Sequence, residues 1–236
     1  VNAYIDPLKP VDKAIITHAH ADHARANHNK VFATEDTINI MKIRYGNNCA
    51  NSFQIAKYGE RIYLDGTYIT FFPAGHILGS AQILIDYKGK KALVTGDYKT
   101  IKDNTAQNFQ LIKADLLVTE TTFGLPIFKH PQPKEEIKKL SESMKRNPDK
   151  CHLIGAYALG KSQRVMSLLR NHGYDEAIFI HGAIEKISDY YKYKKINLGN
   201  FIKINNDNRE KLKGKIVIAP PAALKDRWSR KLPDIK

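Results

Sequence analysis

Cysteine is scarce in this chain: its 236 residues hold two, Cys49 and Cys151, far apart and outside any C-x-x-C pair. They read as reduced, structural thiols, and the expected compartment is the cytoplasm. No apolar run approaches the ~18 residues that a membrane-spanning helix needs. No signal peptide is visible, but the chain starts at Val1 rather than Met, so an upstream segment is expected to be missing. Internal repeats are absent, and a charged fraction of 26% with 42% hydrophobic residues argues against disorder and for a sizeable core. Acidic residues are the other shortage. There are 24 Asp and Glu against 38 Lys and Arg, a formal charge of +14. Such a balance favours a polyanionic partner, because basic side chains attract phosphates and release their counterions.

Along the chain, the first half reads as short strands joined by tight turns. Ala14–Thr17 is a buried strand that delivers His18, and Val31–Ala33 is a second one. Thr34 caps a helix with Glu35 and Asp36 in its first turn and Gly46 past its end. Strands follow over 61–64, 68–72, 81–87 and 92–95, the last two joined by a Lys88-Gly89 turn, and 116–119 closes the block. The second half changes period. Helices over 133–147, 161–171 and from Ala183 alternate with strands at 153–154, 178–180 and 216–218, a pattern that indicates an α/β unit with a parallel sheet. The boundary falls near 124–133, which holds three prolines. The runs 192–195 and 209–215 read as solvated basic faces, and His28 as a surface residue.

Chemistry concentrates in His18-Ala19-His20-Ala21-Asp22-His23, directly after an apolar strand. In so short a loop several imidazoles and a carboxylate can converge on one point, and this donor set suits zinc or manganese. Without a metal, clustered histidines would leave ring nitrogens unsatisfied. His76 in Gly75-His76 and Asp97 in Gly96-Asp97 also end strands, and the neighbouring glycines permit close backbone approach.

Taken in order, His18-x-His20-x-Asp22-His23, His76 and Asp97 resemble the motif set of the metallo-β-lactamase fold. That resemblance implies a partial αββα sandwich with two divalent metals at one edge. His18, His20 and His76 would hold the first, Asp22 and His23 the second, and Asp97 would bridge them. Glu120-Thr121-Thr122-Phe123-Gly124 resembles the acidic motif of the β-CASP nucleases, the branch with the mRNA 3′-end cleavage enzyme, ribonuclease J and the cross-link repair nucleases. Residues 157–164 resemble a segment of their cap. The likeness is nearest to bacterial DNA ligase-associated exonucleases, through 4–25, 75–82, 96–99, 122–130, 155–164, 181–183 and 219–221.

The resemblance implies a metallo-β-lactamase-like domain over 1–125 and a β-CASP-type α/β cap over 126–236. The branch's two later histidine motifs have no counterpart before Lys236, so a piece truncated within the cap is expected. The implied activity is two-metal hydrolysis of phosphodiester bonds in DNA, as an exonuclease in repair. The two ions would lower the pKa of a shared water. Asp22 would hold that water, Asp97 would fix the ion spacing, and Glu120 would orient a general-acid histidine. The expected partners are DNA, single-stranded or at its 3′ or 5′ ends, with RNA as the alternative, and a DNA ligase or helicase. The helix after Gly160 offers its N-terminus as a phosphate site, with Lys161 and Arg164 in its first turn, and His181 is a further nucleic-acid contact. Two rival readings are a small-molecule metallohydrolase, such as a thioesterase or lactonase, and a non-catalytic nucleic-acid-binding module. The basic charge opposes the first and the intact cluster the second.

Overall fold

The computed structural model describes residues 2–236. Contacts divide the chain into two compact units, Val1–Leu125 and Pro126–Lys236. Each buries one of the two thiols, and no described helix is long and apolar enough to cross a membrane.

The first unit stacks two sheets. One is all-parallel, in the order β1 (Tyr4–Ile5), β2 (Lys13–Ile15), β3 (His28–Ala33), β4 (Ala50–Ile55). The other runs β5 (Arg61–Leu64), β6 (Thr67–Pro73), β7 (Ala81–Tyr87), β8 (Lys90–Val94), β9 (Leu116–Val118). It is antiparallel up to β8, and β8 and β9 pair in parallel. Ile15 and Phe32 of the parallel sheet pack against Leu64, Ile69, Phe71 and Ile83 of the mixed one. This apolar layer is the main driving force for the stack. The backbone N–H of Ala81 donates to Thr17 O across the two sheets, at 2.8 Å.

Helix α1 (Glu35–Tyr45) packs on the parallel sheet beside β4. Thr34 Oγ1 caps it by accepting from Thr37 N–H, Glu35 and Asp36 sit at its positive end, and Gly46 stops it at φ 92°. Within this unit α1 is the one helix among the described residues, so the layers present are helix, sheet, sheet.

The second unit is an α/β layer structure. Its sheet is all-parallel, in the order β10 (His152–Gly155), β13 (Ile216–Ala219), β11 (Ile178–Ile180), β12 (Phe201–Lys203), with helices α2 (Pro133–Arg146), α3 (Lys161–Asn171) and α4 (Gly182–Tyr193). β11 and β13 are apolar throughout and fully buried, as a parallel sheet covered on both faces requires.

Several expectations need correction. The first buried strand ends at Ile15, two residues early, because Thr17 turns to bond Asp6. β1, β4 and β12 have no counterpart in the sequence reading. β1 and β12 are two and three residues long, and β4 alternates polar and apolar residues too weakly to stand out. α3 buries Ser162, Gln163, Met166, Ser167 and Leu169, while Val165 and Leu168 are only partly covered. His28 is buried, its Nδ1 accepting from Val11 N–H at 3.2 Å, because it opens an interior strand.

Candidate metal centre

Three strand ends converge in the first unit. The segment after β2 carries His18 and His20, the loop after β6 carries His76, and the loop after β8 carries Asp97. His18 Nε2 lies 3.0 Å from His20 Nδ1, and His76 Nε2 lies 3.2 Å from the same nitrogen. Asp97 Oδ2 lies 3.8 Å from His18 Nε2 and 3.6 Å from His76 Nε2. The other carboxylate oxygen, Oδ1, lies 3.4 Å from His23 Nε2. Asp97 therefore turns one oxygen to each histidine set.

These spacings fit a metal. Donors ~2.0–2.1 Å from a common tetrahedral centre stand about 3.3 Å apart. Three imidazole nitrogens this close, one of them on a fully buried ring, cannot all be satisfied by the protons they carry. His18 is held neutral: burial pushes its pKa well below the ordinary value, and the neighbouring His23, His20 and His76 push the same way. Neutral imidazole is the ligating form. Burial raises the Asp97 carboxyl, with Glu120 and Asp22 adding to it against the histidines.

Asp22 is a weaker member of the cluster. Its side chain is 77% exposed, and its Oδ2 lies 3.8 Å from His23 Nε2. Glu120, just past β9, is close enough to act on Asp97, and its Oε2 accepts from Thr122 N–H at 2.9 Å.

Asp6 is the residue that the sequence reading did not single out. Its Oδ1 accepts from Thr17 N–H at 2.8 Å, and its Oδ2 accepts from Thr17 Oγ1 at 2.6 Å and from His23 Nδ1 at 2.8 Å. With both oxygens engaged, Asp6 orients rather than ligates. The Thr17 hydroxyl gives its one proton to Asp6, so it accepts from His18 Nδ1 at 3.0 Å. Protons therefore sit on Nδ1 of both His18 and His23, so each neutral ring turns its Nε2 lone pair toward the cluster; at His23 burial lowers the pKa, but the carboxylates of Asp6, Asp97 and Asp22 outweigh it and raise the pKa, so a metal there must displace a proton. The signal in the sequence was a carboxylate ending an apolar dipeptide, Tyr4-Ile5-Asp6. Without His23 in view it had no partner.

The loops are held from behind. Lys99 N–H donates to Ala74 O, and Ser80 Oγ accepts from His76 N–H and Ile77 N–H. At Gly75 (φ +73°) a Cβ would stand 2.3 Å from the Lys99 carbonyl oxygen, so only glycine allows the His76 and Asp97 loops to meet.

In the second unit the first turn of α3 makes backbone hydrogen bonds of its own. Lys161 N–H donates to Leu159 O and Ser162 N–H to Tyr157 O, so two first-turn amides are already used. The Lys161 side chain is exposed and Arg164 partly so. His181 caps α4, its Nδ1 accepting from Ala183 N–H at 3.1 Å. The basic run 209–215 is partly paired, Lys213 with Asp149 at 3.1 Å and Lys215 with Glu176.

No protein-family model matches the chain. Curated relatives do. A protein of Opitutus terrae named "Probable DNA ligase" is 26% identical over 234 residues, 98% of this chain and 22% of its own length. An "RNase J-like protein" of Methanocaldococcus jannaschii is 29% identical over 70% of this chain and 44% of its own length. The "Endoribonuclease ysh-1" of Neurospora crassa is 30% identical over 78% of this chain and 25% of its own length. The chain thus spans less than half the length of these relatives. Among solved structures, a protein of unknown function from Enterococcus faecalis superposes with a TM-score of 0.63 over 93% of this chain and 59% of its own, at 14% identity. Fold and relatives define a protein of the metallo-β-lactamase fold. Within that fold, the chain is similar to nucleases of the β-CASP branch.

Proposed function

We propose that this chain carries the metal centre of a nucleic-acid phosphodiesterase, with DNA as substrate and exonucleolytic trimming in repair as its role. The observation that carries the reading is the convergence of His18, His20, His76 and Asp97, with His23 on the far oxygen of Asp97. His18, His20 and His76 would hold one divalent ion, His23 and Asp22 another, and Asp97 both. Zinc suits this donor set, with manganese as the alternative. When bound, such ions acidify water and neutralise phosphate oxygens. The chain's own residues do the rest. Asp6 sets the ring tautomers, Asp97 fixes the spacing of the two histidine sets, and Asp22 would accept a hydrogen bond from solvent on the open side. Glu120 keeps negative charge behind Asp97. Within this chain the first position has four donors and the second three, so the first binds its ion more tightly.

The DNA assignment is supported by the relative named a DNA ligase, which aligns along 98% of the chain. RNA is the second reading, supported by the RNase J-like and endoribonuclease relatives. The test uses single-stranded DNA and RNA oligonucleotides labelled at either end, with zinc or manganese. Stepwise shortening of DNA from one end is expected. Internal cleavage of RNA alone would replace the DNA reading, and thioester or lactone turnover with neither nucleic acid cut would overturn the nuclease reading.

A further inference from the structure

The loops that carry His20 and His76 meet on one helix. Thr34, Thr37, Met41 and Arg44 recur every three or four positions, so they form one stripe along α1 from its cap to its last turn. Met41, in the middle, is fully buried. The polar residues at the two ends of the stripe each reach a backbone carbonyl of a ligand loop.

At the start of α1, Thr34 Oγ1 and Thr37 Oγ1 both donate to Gly79 O, at 2.6 and 3.0 Å. One carbonyl oxygen has two lone pairs, so it accepts both. At Gly79 (φ +82°) a Cβ would stand 2.7 Å from Thr37 N and from Asp36 Cβ, so the helix seats on bare backbone. Ser80, the next residue, accepts from His76 N–H. The hold on the His76 loop thus runs through Gly79 and Ser80 to α1. At the other end, the Arg44 guanidinium donates to Ala19 O, the carbonyl between His18 and His20. Ala19 is fully buried, and no backbone N–H among the described residues donates to that oxygen. Because the peptide is planar, fixing this carbonyl fixes the plane that leads to the His20 Cα. His20 Nδ1 is the nitrogen that both His18 Nε2 and His76 Nε2 approach, at 3.0 and 3.2 Å. His18 and His23 have Thr17 and Asp6 behind their rings. For His20 and His76, α1 holds the backbone instead.

We propose that Arg44 and Thr37 are positioning residues of the metal centre: α1 is a bar against which the His20 and His76 loops are set at one spacing. The inference rests on the metal-centre reading above and extends it to residues that stand behind the ligands. His20 and His76 both belong to the first metal position, whereas the second draws on His23 and Asp22. The bar therefore governs one position and leaves the other alone. That asymmetry separates positioning from general stability, which would weaken both. Lys42 and Arg44 share the last turn of α1, where either cation suits the helix dipole. The contact with Ala19 O belongs to Arg44.

Zinc titration of the 236-residue chain against a chromophoric chelator resolves the tighter and the weaker position. Arg44→Met keeps the length of the stem and removes every donor. It should weaken the tighter position about tenfold, as losing a group behind a ligand does, and leave the weaker one within about twofold. Arg44→Lys returns a donor on a long stem and should recover most of the loss. Thr37→Val keeps the shape without the hydroxyl and should weaken the tighter position about threefold to tenfold, the worth of one neutral hydrogen bond. Lys42→Met removes a charge from the same turn and should change neither position. Circular dichroism confirms that each variant is folded, and Thr37→Val decides alone if Arg44→Met is not. Wild-type zinc affinity in folded Arg44→Met, an equal loss at both positions, or the same loss in Lys42→Met would overturn the positioning role. An unmutated chain that binds no zinc would overturn the metal-centre reading by itself. The imidazole ¹H–¹³C signals of the metal-free protein then decide: His20 signals that move in Arg44→Met uphold its placement by α1, and unmoved ones overturn it.

Discussion

Replacing Asp6 with asparagine reverses a chain of protons with a single atom changed in kind. The carboxylate accepts three hydrogen bonds at 2.6–2.8 Å, two from Thr17 and one from His23. Asparagine keeps the acceptor that meets Thr17 N–H and puts an NH₂ where Oδ2 stood. That NH₂ faces two donors, the Thr17 hydroxyl and His23 Nδ1–H, and both must turn around. His23 does so by moving its proton to Nε2, the nitrogen 3.4 Å from Asp97 Oδ1. Thr17 does so by donating to His18 Nδ1, which drives the His18 proton onto Nε2, 3.0 Å from His20 Nδ1. Both lone pairs meant for metal are then closed. Loss of a carboxylate that orients a histidine ligand weakens metal binding about 10–100-fold, or ~1.4–2.7 kcal/mol. Here both metal positions are affected. Competition with a chromophoric chelator measures each affinity, and imidazole ¹⁵N shifts in the metal-free protein report the tautomers directly. Thr17→Val separates the two arms, because it cuts the relay to His18 and leaves Asp6 on His23. It should weaken one class of site only. A folded Asp6→Asn protein that binds both ions with wild-type affinity, or whose His23 still carries its proton on Nδ1, would refute the reasoning.

Other perturbations follow from the same geometry. Asp97→Ala should abolish cleavage while changing oligonucleotide affinity less than about twofold, since affinity comes from basic side chains; full activity would remove Asp97 from the mechanism. Asp103 is buried, which works to raise its pKa, but hydrogen bonds from Lys99 and Thr105 prevail and hold it below the ordinary carboxylate range. Its stabilisation is therefore fully present above the unfolded value, about 3.9, and lost as pH falls through the folded one. The urea midpoint of Asp103→Asn should lie below wild type at pH 7 and approach it toward pH 3, and a constant gap would count against the ion pair. Gly75→Ala combines a left-handed backbone, about 1–2 kcal/mol, with a clash on the Lys99 carbonyl. Denaturant unfolding of the first unit should show a loss of roughly 3 kcal/mol, together with weaker metal binding; a loss below about 1 kcal/mol would mean that the loops can part freely.

Legibility in the sequence tracked the locality of the cause. The edges of α1 were readable because Thr34, Glu35, Asp36 and Gly46 act on their own turn. The hairpin of β7 and β8 was readable because Lys88-Gly89 dictates it. The histidine loop stood out through density, four candidate ligands in six residues. Asp6 did not, since its meaning depends on Thr17 and His23, which reach it only after β1 pairs with β2. The partners of the α3 amides were hidden for the same reason: the carbonyls of Tyr157 and Leu159 that accept from Ser162 and Lys161 belong to a loop whose path no local pattern fixes.

On the proposed function, the two units separate two physical tasks that a nucleic-acid hydrolase must reconcile. Drawing in a polyanion calls for excess positive charge, but excess positive charge beside histidine ligands would repel the cations they must bind. In this chain the conflict is relieved by placement in sequence. The unit with the histidine cluster is near neutral, 14 basic against 12 acidic residues, and four of those acids, Asp6, Asp22, Asp97 and Glu120, lie at or near the cluster. The other unit carries a net +12 and no comparable group of three or more metal-ligating side chains among the described residues. Bulk salt screens exposed charges beyond about 8–10 Å but reaches a half-buried donor set weakly. On the proposed function, ionic strength should therefore act mainly on capture by the basic unit, and metal supply mainly on the chemistry of the other.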